Sequence, residues 1–558
     1  MSRDPFAIPT FDACARGLTR RSALGLVAAA AAGLVTSRYA YGQGTPPSKP
    51  TGQVVIGLSQ EPTVFHPLMA GIEVDEGVWW SLYDPLWGVD PKGNFVPHLV
   101  TEVPSVENGG ISDDGKSWHI KLREGVKWHD GTPFTAEDVK FSLDLINNPK
   151  FRAGRRSGHE YVRDVTVVSP TEVTWKMAQP YAPYMSILAW TFIVPKHIAD
   201  APDPNTSTLN TSPVGTGAFK WSDRQPGDHI TLVANTNYYG KGPYLERVTY
   251  KYIPDLTVLY TQFRTGEVDY TGIQGITVDH YAEAKTLSDR KVVVGASAFV
   301  ESIMLNLGKP VFQDKAVREA LYAAMDRKSV IDAVYYGLPL PTESYMPRQS
   351  PAFDASLPVN EYDPAKAKQI LDSAGWKPGA GGVREKDGVR LEFTNSTTAG
   401  NHVREQAQQL LQQNWKEIGV AMTIKNMPPA VVWGDYFMQS QFDSVMVAWH
   451  FSAGADPDVS AFFSSHSIPA KGGAGNNAMQ YSNAEVDKLL TLGAATPEMA
   501  KRKQIYVQVQ SIVRGDLPLL PLFNNAVIEG TKAKLIGYAP NVNTSSNAWN
   551  VGEWYWAT

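Results

Sequence analysis

The stretch from Ser112 to Ile146, SDDGKSWHIKLREGVKWHDGTPFTAEDVKFSLDLI, constrains the fold more than any other part of the chain. Asp114-Gly115 and Asp130-Gly131 are tight-turn pairs, because Gly reaches positive φ without steric cost and Asp bonds its own backbone. Between them Trp118, Ile120 and Leu122 alternate with His119, Lys121 and Arg123, the period of a half-buried strand. Pro133 and Thr135 then lead into a helix, where Thr135-x-x-Asp138 has the spacing of a capping box. Ala136, Val139, Leu143 and Ile146 recur on one helical face. The order is turn, strand, turn, capped helix.

At the N-terminus, Thr19-Arg20-Arg21-Ser22-Ala23-Leu24 precedes an uncharged, Ala-rich run from Ala23 to Val35. A run this short cannot span a bilayer, which needs about 20 apolar residues. Paired arginines ahead of a weakly hydrophobic core read as a twin-arginine-type export signal. Ala40-Tyr41-Gly42 offers small residues before a cut at Gln43, so residues 1–42 are assigned to the signal. No later stretch is long and apolar enough to be transmembrane, so the mature protein is expected to be periplasmic and not inserted in the membrane.

The single cysteine, Cys14, lies ahead of the twin arginines and leaves with the signal. It precedes the apolar run, so it cannot be a lipobox cysteine. A mature chain without cysteine relies on its core rather than on disulfides. Its length implies more than one lobe. The chain carries 51 Lys+Arg and 56 Asp+Glu; removing residues 1–42, which hold five and two of these, leaves a net charge of −8. That balance gives no footprint for nucleic acid or anionic membrane.

Residues 43–53 form a Pro/Gly/Ser linker expected to lack structure. Val54–Leu58 reads as a buried strand, and Glu73–Trp87 carries the apolar face of a helix ending in Tyr83-Asp84-Pro85-Leu86. Gly266 has the place of a helix C-cap. Ile303–Asn306 reads as a strand, and Asp314 caps a long helix with Val317, Leu321 and Met325 on its buried face. Tyr362-Asp363-Pro364-Ala365 starts another helix, Val403–Ile418 is amphipathic, and Ala421–Lys425 is a β-branched strand. Leu517–Phe523 returns to strand. This alternation argues α/β layers.

The opening stretch resembles a signature of the peptide/nickel class of extracytoplasmic solute-binding proteins, family 5, which serve ABC importers. Gly215-Thr216-Gly217-Ala218-Phe219, the helix DKAVREALYAAMDRK at 314–328, the loop WHFSAGADPD at 449–458 followed by Phe462-Phe463, and YSNAEVDKLL from Tyr481 resemble further segments of the same family. Together they cover nearly all of residues 50–558. The resemblance implies an α/β, two-lobed periplasmic binding protein fold of type II, in the large cluster with an extra subdomain. Its ligand cleft lies between lobes joined by a two-strand hinge. Lobe I would hold residues 43–296, with the subdomain at about 80–210; lobe II residues 297–508; and residues 509–558 would return to lobe I.

No His-Glu-x-x-His, Gly-x-Ser-x-Gly, Walker loop or Gly-x-Gly-x-x-Gly is present. The histidines lack metal-ligand spacing, and His119 and His129 are expected to face solvent. Asp456-Pro457-Asp458 can be read as an acid/base or calcium pair, or as a turn capping the next helix. The expectation is a binding protein, not an enzyme, without cofactor or metal. It is read as monomeric, with a small-molecule ligand and membrane-embedded ABC permease subunits as partners and no nucleic acid. A secreted hydrolase and a signalling receptor are the alternatives.

The family pattern implies where the ligand sits. Peptide-binding members carry an Asp three residues after the Trp matching Trp449, paired with the ligand's α-ammonium; here that residue is Ser452, with Asp456 nearby. Arg404 matches an Arg that dipeptide-binding relatives use for the ligand carboxylate, or else is a surface residue of its helix. Trp433, Trp449 and Phe451 fall on the lobe II wall, Phe299 at the hinge, and Phe65, Glu73, Trp79 and Trp80 on lobe I. For each Trp, core packing is the other reading. The set implies a peptide-like or other amphiphilic organic solute; oligopeptides, a sugar or opine, and a metal chelate held through His450 remain open.

Overall fold

The first strand, β1 (Gln53–Leu58), buries Val54 and Ile56 completely. The computed structural model describes residues 44–558 apart from 157, 273, 274, 429, 430, 451–455, 474, 545, 547 and 558, so the expected export signal, residues 1–42, lies outside the described residues. Immediately before β1 the chain is tied down: Thr51 N–H donates to the Tyr244 carbonyl, and the Gly52 carbonyl accepts from Glu246 N–H, both at 2.9 Å. The end of the expected linker is therefore part of the fold.

Helix α1 (Glu73–Leu82) ends as the expected Tyr83-Asp84-Pro85-Leu86 segment begins. Tyr83 is extended, and Pro85 disfavours helix at the residue before it; Trp87–Val89 forms a short strand instead. Then comes the opening signature: β2 (Ser117–Lys121) and α2 (Ala136–Asn147). Thr135 N–H donates to Asp138 Oδ2 at 2.9 Å, and the other oxygen accepts from Lys196 N–H, so the capping residue also fastens a distant loop. Strands β3 (Val162–Ser169) and β4 (Glu172–Met177) complete a three-stranded antiparallel sheet, ordered β2-β4-β3, in which Trp118 stacks on Trp175.

His129 does not face solvent. Its Nδ1 accepts from Gly215 N–H and its Nε2 lies 3.1 Å from the Gly217 carbonyl, so it braces the Gly-Thr-Gly turn. That turn needs its glycines because it lies against the end of α1. A Cβ on Gly215 would sit 1.8 Å from the Leu82 carbonyl oxygen, and one on Gly217 2.6 Å from the Leu82 carbonyl carbon.

The chain continues through β5 (Phe219–Gln225), β6 (His229–Ala234), β7 (Arg247–Tyr252), α3 (Leu256–Thr265) and β8 (Tyr270–Thr271). Gly266 ends α3 at φ 93°. Strand β9 (Arg290–Leu305) is far longer than the expected Ile303–Asn306. Asp314 does cap α4 (Lys315–Ala323), but the helix breaks there and Asp326 caps a second, α5 (Arg327–Val334); Met325 is buried in the break, not on a helix. After these come α6 (Pro364–Ser373), β10 (Glu392–Ser396), α7 (His402–Glu417), β11 (Ala421–Ile424), β12 (Ser444–Trp449), α8 (Ala484–Ala495), α9 (Met499–Asp516) and β13 (Leu519–Lys532). Leu517, at φ 53°, terminates α9, so the expected strand starts two residues later.

The main sheet runs β11-β10-β12-β9-β13-β8-β1-β7-β6-β5. β9 and β13 lie antiparallel at its centre, and their register breaks between Ala296 and Val300. On one side of that break β13 pairs with β8, beside the first-half strands; on the other β9 pairs with β12. Separate hydrophobic clusters form on either side: one around Trp118, Trp175 and Leu143, others around Trp415, Phe393, Phe463 and Tyr506.

Candidate functional site

A cavity of about 600 Å3 opens between two groups of residues far apart in sequence, 67–192 and 449–476. Its first wall includes Trp79, Arg155, Tyr181, Trp190 and Phe192; its second includes Trp449, His450, Asp456, Asp458, Phe462 and Asn476. The walls meet directly beyond it, where Ala182 N–H donates to the Ala494 carbonyl at the end of α8 (2.8 Å). The volume lies within the range of pockets for small organic ligands.

Local structure sets each wall. Trp79, on α1, donates its indole N–H to the Val64 carbonyl (2.7 Å), which fixes its ring against Phe192. Arg155 lies over the Trp190 ring and donates Nη2–H to Glu76 Oε1 (2.7 Å). Glu76 is buried whereas the Arg155 side chain is 56% exposed, so the guanidinium is anchored on one edge. Arg156 is partly used on structure: its Nη2 donates to the Asn148 and Phe151 carbonyls. Across the cavity, Trp449 ends β12, stacks on Phe437 and meets Phe462 edge-on.

The polar groups of the second wall differ in what they can offer. Asp456 makes a buried bidentate pair with Arg502, at 2.5 and 2.6 Å, and caps Asp458 N–H. Its charge is satisfied within the protein. Asp458 Oδ1 accepts from Ser460 and from Tyr506 O–H. Burial, and then the nearby Asp456 charge, push its carboxyl upward. Burial and the charge of Arg155 lower His450 to about 4, so its ring is neutral near pH 7; its Nε2 is buried without a partner.

Of the residues singled out from the sequence, Trp79, Trp449 and Asp456 line this cavity. Phe65 packs on Trp221, and Trp80 packs on Phe192 and Trp190 away from the opening. Trp433 supports Trp449 from behind. Glu73 lies at the start of α1 near Glu529, where burial and the charges of Glu76 and Glu529 push its carboxyl up to about 8. Phe299, in the register break, faces the His450 ring at 5.6 Å. Arg404 is neither a surface residue nor a cavity residue: it is bonded to Glu301 at 2.9 and 3.1 Å. Phe451 and Ser452 lie outside the described residues. Arg155, Tyr181 and Trp190 were missed; the Arg155-Arg156 pair after a Gly, in a loop with no periodicity, was the one signal available.

A second recess, of about 500 Å3, is lined by residues such as Lys121, Arg123 and Glu172 around β2 and β4; no tryptophan lines it. Among the described residues no cluster of three metal-ligating side chains occurs, and no helix is long and apolar enough to cross a membrane.

A mixed α/β chain whose central strand pair joins two packed halves, with an aromatic cavity between them, defines a two-lobed binding protein. The chain belongs to the bacterial extracellular solute-binding proteins, family 5, whose model matches residues 94–470. It is 29% identical over 521 residues to the oligopeptide-binding protein AppA of Bacillus subtilis, covering 91% of this chain and 92% of that one. The structure of that AppA in complex with a nonapeptide superposes with a TM-score of 0.76, at 28% identity, over 92% of this chain and all of the other. NikZ from Campylobacter jejuni, in complex with Ni(L-His), gives a TM-score of 0.79 at 26% identity, over 90% and 99% of the two chains. The fold is thus that of two-lobed periplasmic binding proteins, and the protein is a solute-binding protein of the kind that serves ABC importers.

Proposed function

We propose that this protein captures a peptide-like or other amphiphilic organic solute in the cavity between Trp79 and Trp449 and hands it to an ABC permease, without chemical change to the solute. The observation that carries this reading is that one cavity takes its walls from both sides of the β9–β13 crossing. A solute held there contacts both walls only when they are together, so its binding energy favours the closed form. Trp79, Trp190, Trp449 and Phe462 supply apolar and stacking area, and the Arg155 edge and Asp458 supply polar ends. That mixture suits an amphiphilic solute better than a simple sugar. The oligopeptide-binding relative supports the same class.

In this reading lobe I is built from residues 43–296 and the C-terminal part of the chain, and lobe II from about 297 onward. Val509, Val513, Leu520, Leu522 and Phe523 pack into the second-half clusters, which supports a return crossing nearer Asn524 than 509. The protein works as a monomer, exported with its 1–42 twin-arginine-type signal. Thermal-shift screening of the mature protein tests the solute class, since a ligand of the closed form raises stability by RT ln(1 + [L]/Kd). Peptides should raise the melting temperature; a response to sugars alone contradicts the proposal.

A further inference from the structure

Two polar groups in the cavity remain without a full set of partners, and they stand on opposite walls. Arg155 uses one terminal nitrogen on Glu76, and no other hydrogen bond of its guanidinium is formed among the described residues. Trp190 below the plane holds the fork in place. A weakly hydrated, stacked and half-anchored guanidinium loses little freedom when it accepts a second carboxylate on its open edge. His450 presents the second group: the residue lines the cavity, and its Nε2 is buried and has no partner. A buried imidazole nitrogen without a hydrogen bond costs free energy that a ligand oxygen would recover. Near these, Ser186 is fully buried on the first wall with an unpartnered hydroxyl.

We infer that a carboxylate of the solute docks between Arg155 on one wall and His450 on the other. This rests on the solute reading above and names the anionic half of that solute. Arg155 donates from its open edge to one oxygen, and the His450 Nε2–H donates to the other. The same anionic group is then shared by both lobes, which makes it a fastener of the closed form and not merely a handle on one lobe. Arg404 does not serve in its stead: it does not line this cavity, and Glu301 holds its Nε and Nη2. Arg156 lines the same cavity but is less open than Arg155 at Nη2, which two backbone carbonyls hold.

The test uses the mature protein and paired probes: free-acid di- to pentapeptides each beside its C-terminal amide, and aromatic carboxylic acids beside their carboxamides. Titration calorimetry measures each pair. The inference predicts that acids bind about tenfold or more tightly than their amides, the scale of one charge-assisted bidentate contact. It also predicts that R155Q/E76Q, which removes the arginine without stranding the buried glutamate, and H450Q each abolish most of that preference. R155K, which keeps the charge but not the fork, should give an intermediate preference and guards against a misfolded variant. Equal binding of acid and amide, or an acid preference that survives R155Q/E76Q, overturns the carboxylate site while leaving the solute class standing. Binding by no member of either series overturns the solute class and the site with it.

Discussion

Arg404 on α7 and Glu301 on β9 form a buried, two-armed ion pair, with Nε–Oε1 at 2.9 Å and Nη2–Oε2 at 3.1 Å. The side chains are 13% and 2% exposed, and Glu301 immediately follows the register break where the central strands cross. Removing one partner leaves a buried charge uncompensated, at a cost of about 3–5 kcal/mol. R404Q should therefore lower the unfolding free energy by about that amount in chemical denaturation. The double change R404Q/E301Q should recover much of the loss. Solute affinity of the folded R404Q protein should stay within a few-fold of wild type; a large loss confined to carboxylate-bearing solutes would return Arg404 to the ligand.

Tryptophans on either side of the cavity wall separate by function. W449A and W190A remove aromatic area that the solute meets and should weaken binding by at least tenfold, about 1.4 kcal/mol. W80A removes a ring buried against Phe192 and Trp190, so it should cost about 3–5 kcal/mol of stability. Calorimetric titration and urea unfolding, run on all three proteins, distinguish the two outcomes.

Glu73 carries a pH signature. Its carboxyl, ordinarily near 4.5, is pushed to about 8 by burial and by Glu76 and Glu529. A group with a raised folded pKa contributes stability that is fully present below its unfolded pKa and is lost as pH rises through the folded one. Wild type should thus lose stability relative to E73Q between about pH 4.5 and pH 8, with the difference level above that window. Melting temperatures measured from pH 4 to 9 check the sign: a difference that shifts in favour of wild type with rising pH contradicts it.

The Gly-Thr-Gly turn is a packing requirement. G217A would drive a methyl into the Ser81–Leu82 backbone, which cannot rotate away as a side chain could. The expected loss is about 2–4 kcal/mol, read by urea unfolding, whereas T216S should be mild because it keeps the hydroxyl that Asp84 accepts from at 2.9 Å.

What the sequence revealed was local chemistry. Turns at Asp114-Gly115 and Asp130-Gly131, the Thr135–Asp138 cap and the Gly266 stop are written in residues within one turn of each other, and they stand where expected. The break between α4 and α5 was hidden because Met325 keeps the apolar period while Asp326 starts a new cap. The site was less legible. Arg404 and Glu301 are separated by 103 residues, as are many pairs that only the fold brings together, so a charge without a visible partner reads as available. Asp456 lines the cavity, but its pairing was hidden for the same reason, its partner Arg502 lying on α9. Arg155 and Trp190 come from loops and short turns whose side-chain directions no periodicity predicts.

The most direct test of solute capture between the two walls is native mass spectrometry of the protein purified from its own periplasm, with W449A and R155Q/E76Q alongside. Wild type is predicted to carry a non-covalent organic solute that is released on denaturation and is depleted in both variants. Wild type free of solute, or a solute retained equally by W449A and R155Q/E76Q, would contradict it.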